Sequence, residues 1–230
     1  AEDGGGYPTG YMLMSSRLGM SDGISAKADT EITRGAAAKL IYNSLDAELA
    51  QQIKYGADKT YERSGNTVLE YYHGITKISG VFSDFGALSA VGGRKLSGDT
   101  AVIDDIKLKF DSFNPKKLFA QTVTAYVRYS NDKTDGKLIY AIADSGNKVT
   151  DIGYADYDEI RDSRIVYTDS DGRECKTAFS DNTRVIYNGR YLTRMGLETD
   201  LKFSCGFLRL ITYPDSASAN VILINDYKTY

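Results

Sequence analysis

Residues that could do chemistry are few and scattered. His73 is the sole histidine in 230 residues, so a multi-histidine metal site cannot be built, and a Ser-His-Asp triad would have to use this one imidazole. It follows Tyr71 and Tyr72 in a packed-looking stretch, which is the setting of a histidine at a helix end. Cys175 and Cys205 lack the partner spacing of a zinc site. They could bridge in an exported protein if their Cα atoms lay within about 7 Å; otherwise they are two separate, half-buried thiols. Asp151, Asp156, Asp158, Glu159 and Asp162 form a dense acidic run. A glycosidase needs two carboxyls held about 5–10 Å apart across a cleft, which proximity along a chain does not establish. The run also lacks the glycine and closing glutamate of an EF-hand loop, and a solvated acidic loop is the ordinary reading. Gly92-Gly93-Arg94-Lys95 has neither the Lys-Ser/Thr ending of a phosphate loop nor a following helix and reads as a turn between strands. No Gly-x-Ser-x-Gly elbow is present. The expectation is a non-enzymatic chain with no catalytic residues, no metal ligands and no cofactor.

The elements that must position any binding residue change character along the chain. Up to about residue 54 the pattern is helical. Pro8 suits a first turn, Tyr11, Met14 and Leu18 recur at helical spacing, and Gly19 supplies a stop. After a loop from Ser21 to Glu31, Thr33 is a good N-cap for a second helix whose Ala37, Leu40, Ile41 and Leu45 make one apolar stripe. A short helix from Asn66 to His73 ends at Gly74. Beyond it the period becomes two, with strands expected at 75–82, 102–110, 122–129, 137–143, 164–168, 183–187, 207–213 and 220–225. Two hairpins share one plan: VTAYVRY through a turn at Asp135-Gly136 into KLIYAIA, and GFLRLITY through PDSASA into NVILIND. The acidic segment from Asp151 to Asp171 reads as a lobe inserted between them. Val221–Ile224 reads as an exposed edge strand able to pair with a neighbour, guarded by Asp226 and Lys228.

Composition narrows the partners. With 28 Lys and Arg against 31 Asp and Glu the net charge is −3, too balanced for a nucleic-acid groove or a basic membrane face. No apolar run approaches the roughly 20 residues of a membrane span, and the first residues lack the regions of a signal peptide, so the chain is expected to be soluble with any targeting segment removed. Eighteen tyrosines, eight phenylalanines and no tryptophan favour a β-rich protein with wet faces.

Residues 5–46, GGYPTGYMLMSSRLGMSDGI followed by EITRGAAAKLIYNSLD, resemble an S-layer homology (SLH) unit. The resemblance rests on Leu18-Gly19-Met20, Asp22-Gly23-Ile24, Ile32-Thr33-Arg34-Gly35 and the run Leu40-Ile41-Tyr42-Asn43-Ser44-Leu45. At Ala36 the family usually carries Glu, so the reciprocal half of a capping box is lost. Such units usually come in threes and bind a pyruvylated secondary cell-wall polysaccharide. The resemblance therefore implies a binding role for Thr33 and Arg34, whose planar guanidinium can bind both oxygens of a ketal carboxylate. KISGVFSD (77–84), TRVIYNGRYL (183–192) and the closing hairpin are similar to the β-rich module that follows SLH units in clostridial-type surface proteins.

The expected fold class is α+β: an N-terminal helix-loop-helix SLH-like unit (1–62), followed by an antiparallel, small-barrel-like module (63–230) with an inserted lobe at about 150–200. The expected function is anchoring to, or assembly on, the Gram-positive cell wall, outside the cell. The expected partners are secondary wall polysaccharide and other SLH units or surface-layer subunits, with neither nucleic acid nor membrane insertion. A carbohydrate-binding or carbohydrate-processing module, with exposed tyrosines stacking on sugars, is the alternative.

Overall fold

The structure is a computed structural model and describes residues 5–25, 27–55, 60–92, 96–111, 114–130, 136–192 and 204–227. The chain divides into two compact units, Ala1–Thr76 and Lys77–Tyr230, a boundary 14 residues beyond the one expected at 62.

The first unit holds helices α1 (Thr9–Arg17) and α2 (Arg34–Leu45), an antiparallel ribbon of β1 (Glu48–Lys54) and β2 (Thr60–Thr67), and helix α3 (Val68–His73). Local rules explain the ends of α3. Thr67 accepts from the Glu70 amide while Glu70 accepts from the Thr67 amide, a reciprocal capping box, and Gly74 terminates the helix in the left-handed region. His73 is the last residue of this helix. Burial is sparse. Among the described residues only Gly10, Ala47 and Leu69 are buried in this unit, and Ile41, in the expected apolar stripe of α2, is 63% exposed.

The second unit is two small barrels built on one plan. In the first, β3 (Ile75–Phe85), β5 (Thr100–Ile103), β6 (Ile106–Lys109), β8 (Gly136–Ala143) and β7 (Thr122–Tyr129) are neighbours in that order, and β7 returns to pair with β3. The two-residue β4 (Leu88–Ser89) lies outside this ring against β3. Period-two alternation turns Val123, Ala125 and Val127 of β7 inward onto Phe82, Ile103 and Leu108, and in β8 a register irregularity between Leu138 and Tyr140 brings both Leu138 and Ala141 to the same core. A short helical turn, Pro115–Leu118, leads into β7.

The second barrel is open, a half-barrel ordered β10 (Tyr157–Arg161), β11 (Arg164–Thr168), β12 (Glu174–Tyr187), β15 (Ala219–Asn225), β14 (Phe207–Thr212), β9 (Lys148–Gly153), with β13 (Arg190–Leu192) on β12. Strand for strand it repeats the first barrel. The β9–β10 segment stands for β3, β11 for β5, β12 for β6, β14 for β7 and β15 for β8. In both, the third strand runs antiparallel to the second and parallel to the last. The 14-residue β12 serves two partners through a register break between Phe179 and Arg184. Ser180 donates its amide to Thr183 Oγ1 there, and that hydroxyl donates to the Ala219 carbonyl. Ile222 and Ile224 face this barrel's own core, whereas Val221 and Leu223 pack with Ile186, Ile211, Phe119 and Ala120 in a seam joining the two barrels.

Three expectations are overturned. The fold is predominantly β, 50% strand and 17% helix, rather than α+β with an N-terminal helix-loop-helix unit. Helical periodicity shows that a face could form, but only a packing partner turns it into a core, and here the stripe of α2 is at most half-buried, with Ile41 exposed, while the ribbon takes up much of the unit. Residues 151–171 are not an inserted lobe: they supply β9, β10 and β11, whose backbone groups complete the sheet. Finally, Val221–Ile224 lies in a central strand between β12 and β14, not at an edge. An unbroken apolar run is the pattern of a strand buried on both faces.

Replacing Ile222, fully buried in β15, with Ala is expected to cost about 2–5 kcal/mol. Val149→Ala on exposed β9 is expected to stay within about 0.5 kcal/mol. Urea unfolding of both variants checks this; equal losses would contradict the central placement of β15.

Candidate functional site

The residues singled out by sequence sit at the start of α2. Thr33 is extended and accepts the Ala36 amide on its hydroxyl at 3.2 Å, capping the helix without a reciprocal acid. Arg34 is therefore the first helical residue. It is exposed, and among the described residues no hydrogen bond or ion pair engages its guanidinium. The same helix holds the preceding loop. Asn43 donates through Nδ2 to the carbonyls of Met20 and Asp22, both at 3.0 Å, and the Lys39 ammonium lies against Gly23, whose φ of +65° is left-handed. Asn43 and Lys39 were not assigned as site residues from sequence; the spacing of four places them on one face of the helix. In the same unit Tyr7, Tyr11, Tyr42, Tyr61, Tyr71 and Tyr72 are all exposed.

A second polar centre gathers on Asp226 at the end of β15. Its Oδ2 accepts the Tyr187 hydroxyl at 2.5 Å, and its Oδ1 accepts the amides of Ser204 and Cys205 at 2.8 and 3.1 Å. The Asp226 amide donates to Asn188 Oδ1. These donors, Tyr187 first, hold its carboxyl down at about 2. The backbone then enters β14 through Gly206, whose φ of +81° and close approach to the Asn225 carbonyl admit no side chain. Asp226, expected to guard an edge, instead ties the approach to β14 onto the end of β15; Lys228 lies outside the described residues.

The acidic run is not gathered. Asp151 is bound by a guanidinium fork, Arg209 Nε and Nη2 donating at 2.6 and 2.7 Å, and Glu159 pairs with Arg161. Asp156 lies in the helical turn between β9 and β10. Among the described residues no group of three His, Cys, Asp or Glu is placed to hold a metal ion. Cys175 and Cys205 are free; Cys175 donates toward Asp169 and burial pushes its thiol up. Burial also drives Tyr213, in the seam between the barrels, up to about 12. Of the Gly92–Lys95 segment only Gly92 is described, in a left-handed conformation after β4. No helix among the described residues is long and apolar enough to cross a membrane.

No protein-family model matches the chain, and no curated protein matches it.

Two outcomes follow from this chemistry. Asp226 binds its proton more weakly folded, at about 2, than at the ordinary 3.8. Its contribution is therefore complete above about pH 4, declines as pH falls through that window and is gone below about pH 2. The melting-temperature gap between the wild type and Asp226→Asn is expected to hold above about pH 4 and to narrow from there to about pH 2; a gap constant with pH would contradict the assignment. A thiol count under denaturing, non-reducing conditions is expected to return two free cysteines, and fewer would mean a bridge.

Proposed function

We propose that the chain is a non-enzymatic part of an exported bacterial cell-surface protein, whose SLH-like first unit recognises anionic secondary wall polysaccharide while its barrels build the surface structure. The observation that carries this reading is the placement of Arg34. It lies in the motif Ile32-Thr33-Arg34-Gly35, at the first turn of a helix capped by Thr33, with an exposed guanidinium that meets no acid among the described residues. The positive end of the helix and the planar fork of the side chain favour a carboxylate at the same place.

The exposed apolar residues of the first unit support companion units. Tyr11, Met12, Leu13 and Met14 of α1 and Ile41 and Tyr42 of α2 lie open, and a segment of this size with three buried residues among those described gains little from its own core. Such helices are served by neighbours that cover them, as further SLH units would. The carbohydrate-processing alternative draws no support from Asp151 and Glu159, which are engaged by arginines.

The test is co-sedimentation of the whole chain with purified Gram-positive sacculi before and after acid extraction of the secondary polymer. Polymer-dependent pelleting is expected, reduced about tenfold by Arg34→Ala, the scale of a lost charge-assisted hydrogen bond. Pelleting that ignores the polymer, or an Arg34→Ala variant that pellets like the wild type, would refute the reading.

A further inference from the structure

The first barrel carries a surface that neither the wall-binding helix nor the barrel core explains. Three strands lie side by side as β6, β8 and β7, and their registers align three cations: Lys109 is the partner of Lys137, and Lys137 is the partner of Arg128. All three are exposed. Their sequence neighbours Leu108, Phe110, Leu138 and Val127 are buried in the barrel core, so alternation puts the three on the outer face. Like charges placed directly across strands destabilise a sheet, and the row is only partly relieved, by Asp111 on Lys137 at 2.5 Å and by the proximity of Asp99 to Lys109. Its closeness depends on Gly136, where a Cβ would meet Leu108 Cδ2 at 2.5 Å. Beside the row on the same face, Tyr126 is the partner of Tyr140, with ring centroids 6.4 Å apart and planes inclined by 33°. Ile142 beyond them is about half exposed.

The charge is local. Segment 77–143 has ten Lys and Arg against seven Asp and Glu, whereas 1–76 and 144–230 each have three more acids than bases. We propose that the β6–β8–β7 face of the first barrel binds an anionic polysaccharide chain, the cation row taking its carboxylates and the Tyr126–Tyr140 pair stacking on its sugar rings. The surface follows from strand register, and only the choice of a wall polymer as the natural ligand rests on the function proposed above. A sparsely charged glycan fits better than a nucleic acid. Two of the three cations retain a nearby acid, which can accept sugar hydroxyls but repels a backbone with a phosphate at every unit, and the rest of the chain is negative. Guanidinium matches carboxylate in shape, and the two tyrosines offer an apolar face with polar tips to rings that carry both C–H and O–H groups.

The test titrates the full chain by calorimetry with hexagalacturonate, cellohexaose and a twelve-residue oligothymidylate. Expected are binding of hexagalacturonate that weakens as salt rises, at least tenfold loss in Lys109→Glu/Arg128→Glu, at least fivefold loss in Tyr140→Ala, and no change in Arg173→Ala, an exposed arginine of the second barrel. Thermal melting of each variant shows that it is folded; should the double variant fail to fold, Lys109→Gln and Arg128→Gln singly replace it, each expected to lose about threefold. No hexagalacturonate binding, equal binding of cellohexaose, tighter binding of the oligothymidylate, or indifference to the charge variants would each overturn the proposal. Failure of sacculus pelleting with these effects intact would overturn the wall-anchoring function alone.

Discussion

Burial of β15 on both faces is the constraint on which the second unit depends. Ile222 and Ile224 close the core of the second barrel, and Val221 and Leu223 close the seam with the first. One strand thus contributes to two apolar clusters, and its backbone is bonded on both sides, antiparallel to β14 and parallel to β12. The parallel pairing requires the chain to travel away and return between β12 and β15, so the sheet of this half-barrel is complete only once its last strand has been placed. The register break in β12 between Phe179 and Arg184 belongs to the same arrangement: the stretch Glu174–Ala178 pairs with β11, and the stretch Arg184–Tyr187 beyond the break pairs with β15.

The two units hold together by different physics. The barrels have continuous cores, with Phe82, Ile103, Leu208 and Ile222 wholly removed from water, and apolar burial at roughly 25 cal/mol per Å² is their main stabilising term. The first unit is organised by local polar devices: the Thr33 cap, the Thr67–Glu70 box, and the grip of Asn43 on the loop carbonyls. Each contributes on the order of 1 kcal/mol, enough to set helix ends but not to replace a core. The exposed tyrosines and methionines of its helices therefore read as surface awaiting cover.

Duplication of one barrel plan leaves the copies free to diverge in surface chemistry. In the first, β6, β8 and β7 show a cation row and a tyrosine pair to solvent. In the second, Leu223 of β15 is flanked by Ile186 of β12 and Arg209 of β14; the arginine is held by Asp151, and Ile186, Val221, Leu223 and Ile211 are spent on the seam. One topology thus provides a joint in one copy and an open charged face in the other.

The sequence by itself determined the local elements. Period-two alternation marked 122–129 and 137–143, and the cap at Thr33 and the stop at Gly74 set helix ends, because these depend on neighbours a few residues away. It also displayed the kinship of the two closing hairpins, though not the shared barrel around each. Tertiary structure alone decided which periodic faces became core. The stripe of α2 looked buriable and is only half-buried, with Ile41 open; the run Val221–Ile224 looked like an edge and is central; the acids from Asp151 onward looked like a lobe and supply strands of the second sheet. It alone brought Lys109, Lys137 and Arg128 into one row, since strand register joins residues that the chain keeps apart. The physical reason is common to all of these: periodicity fixes which side chains share a face, but only the partner placed against that face decides whether water leaves it.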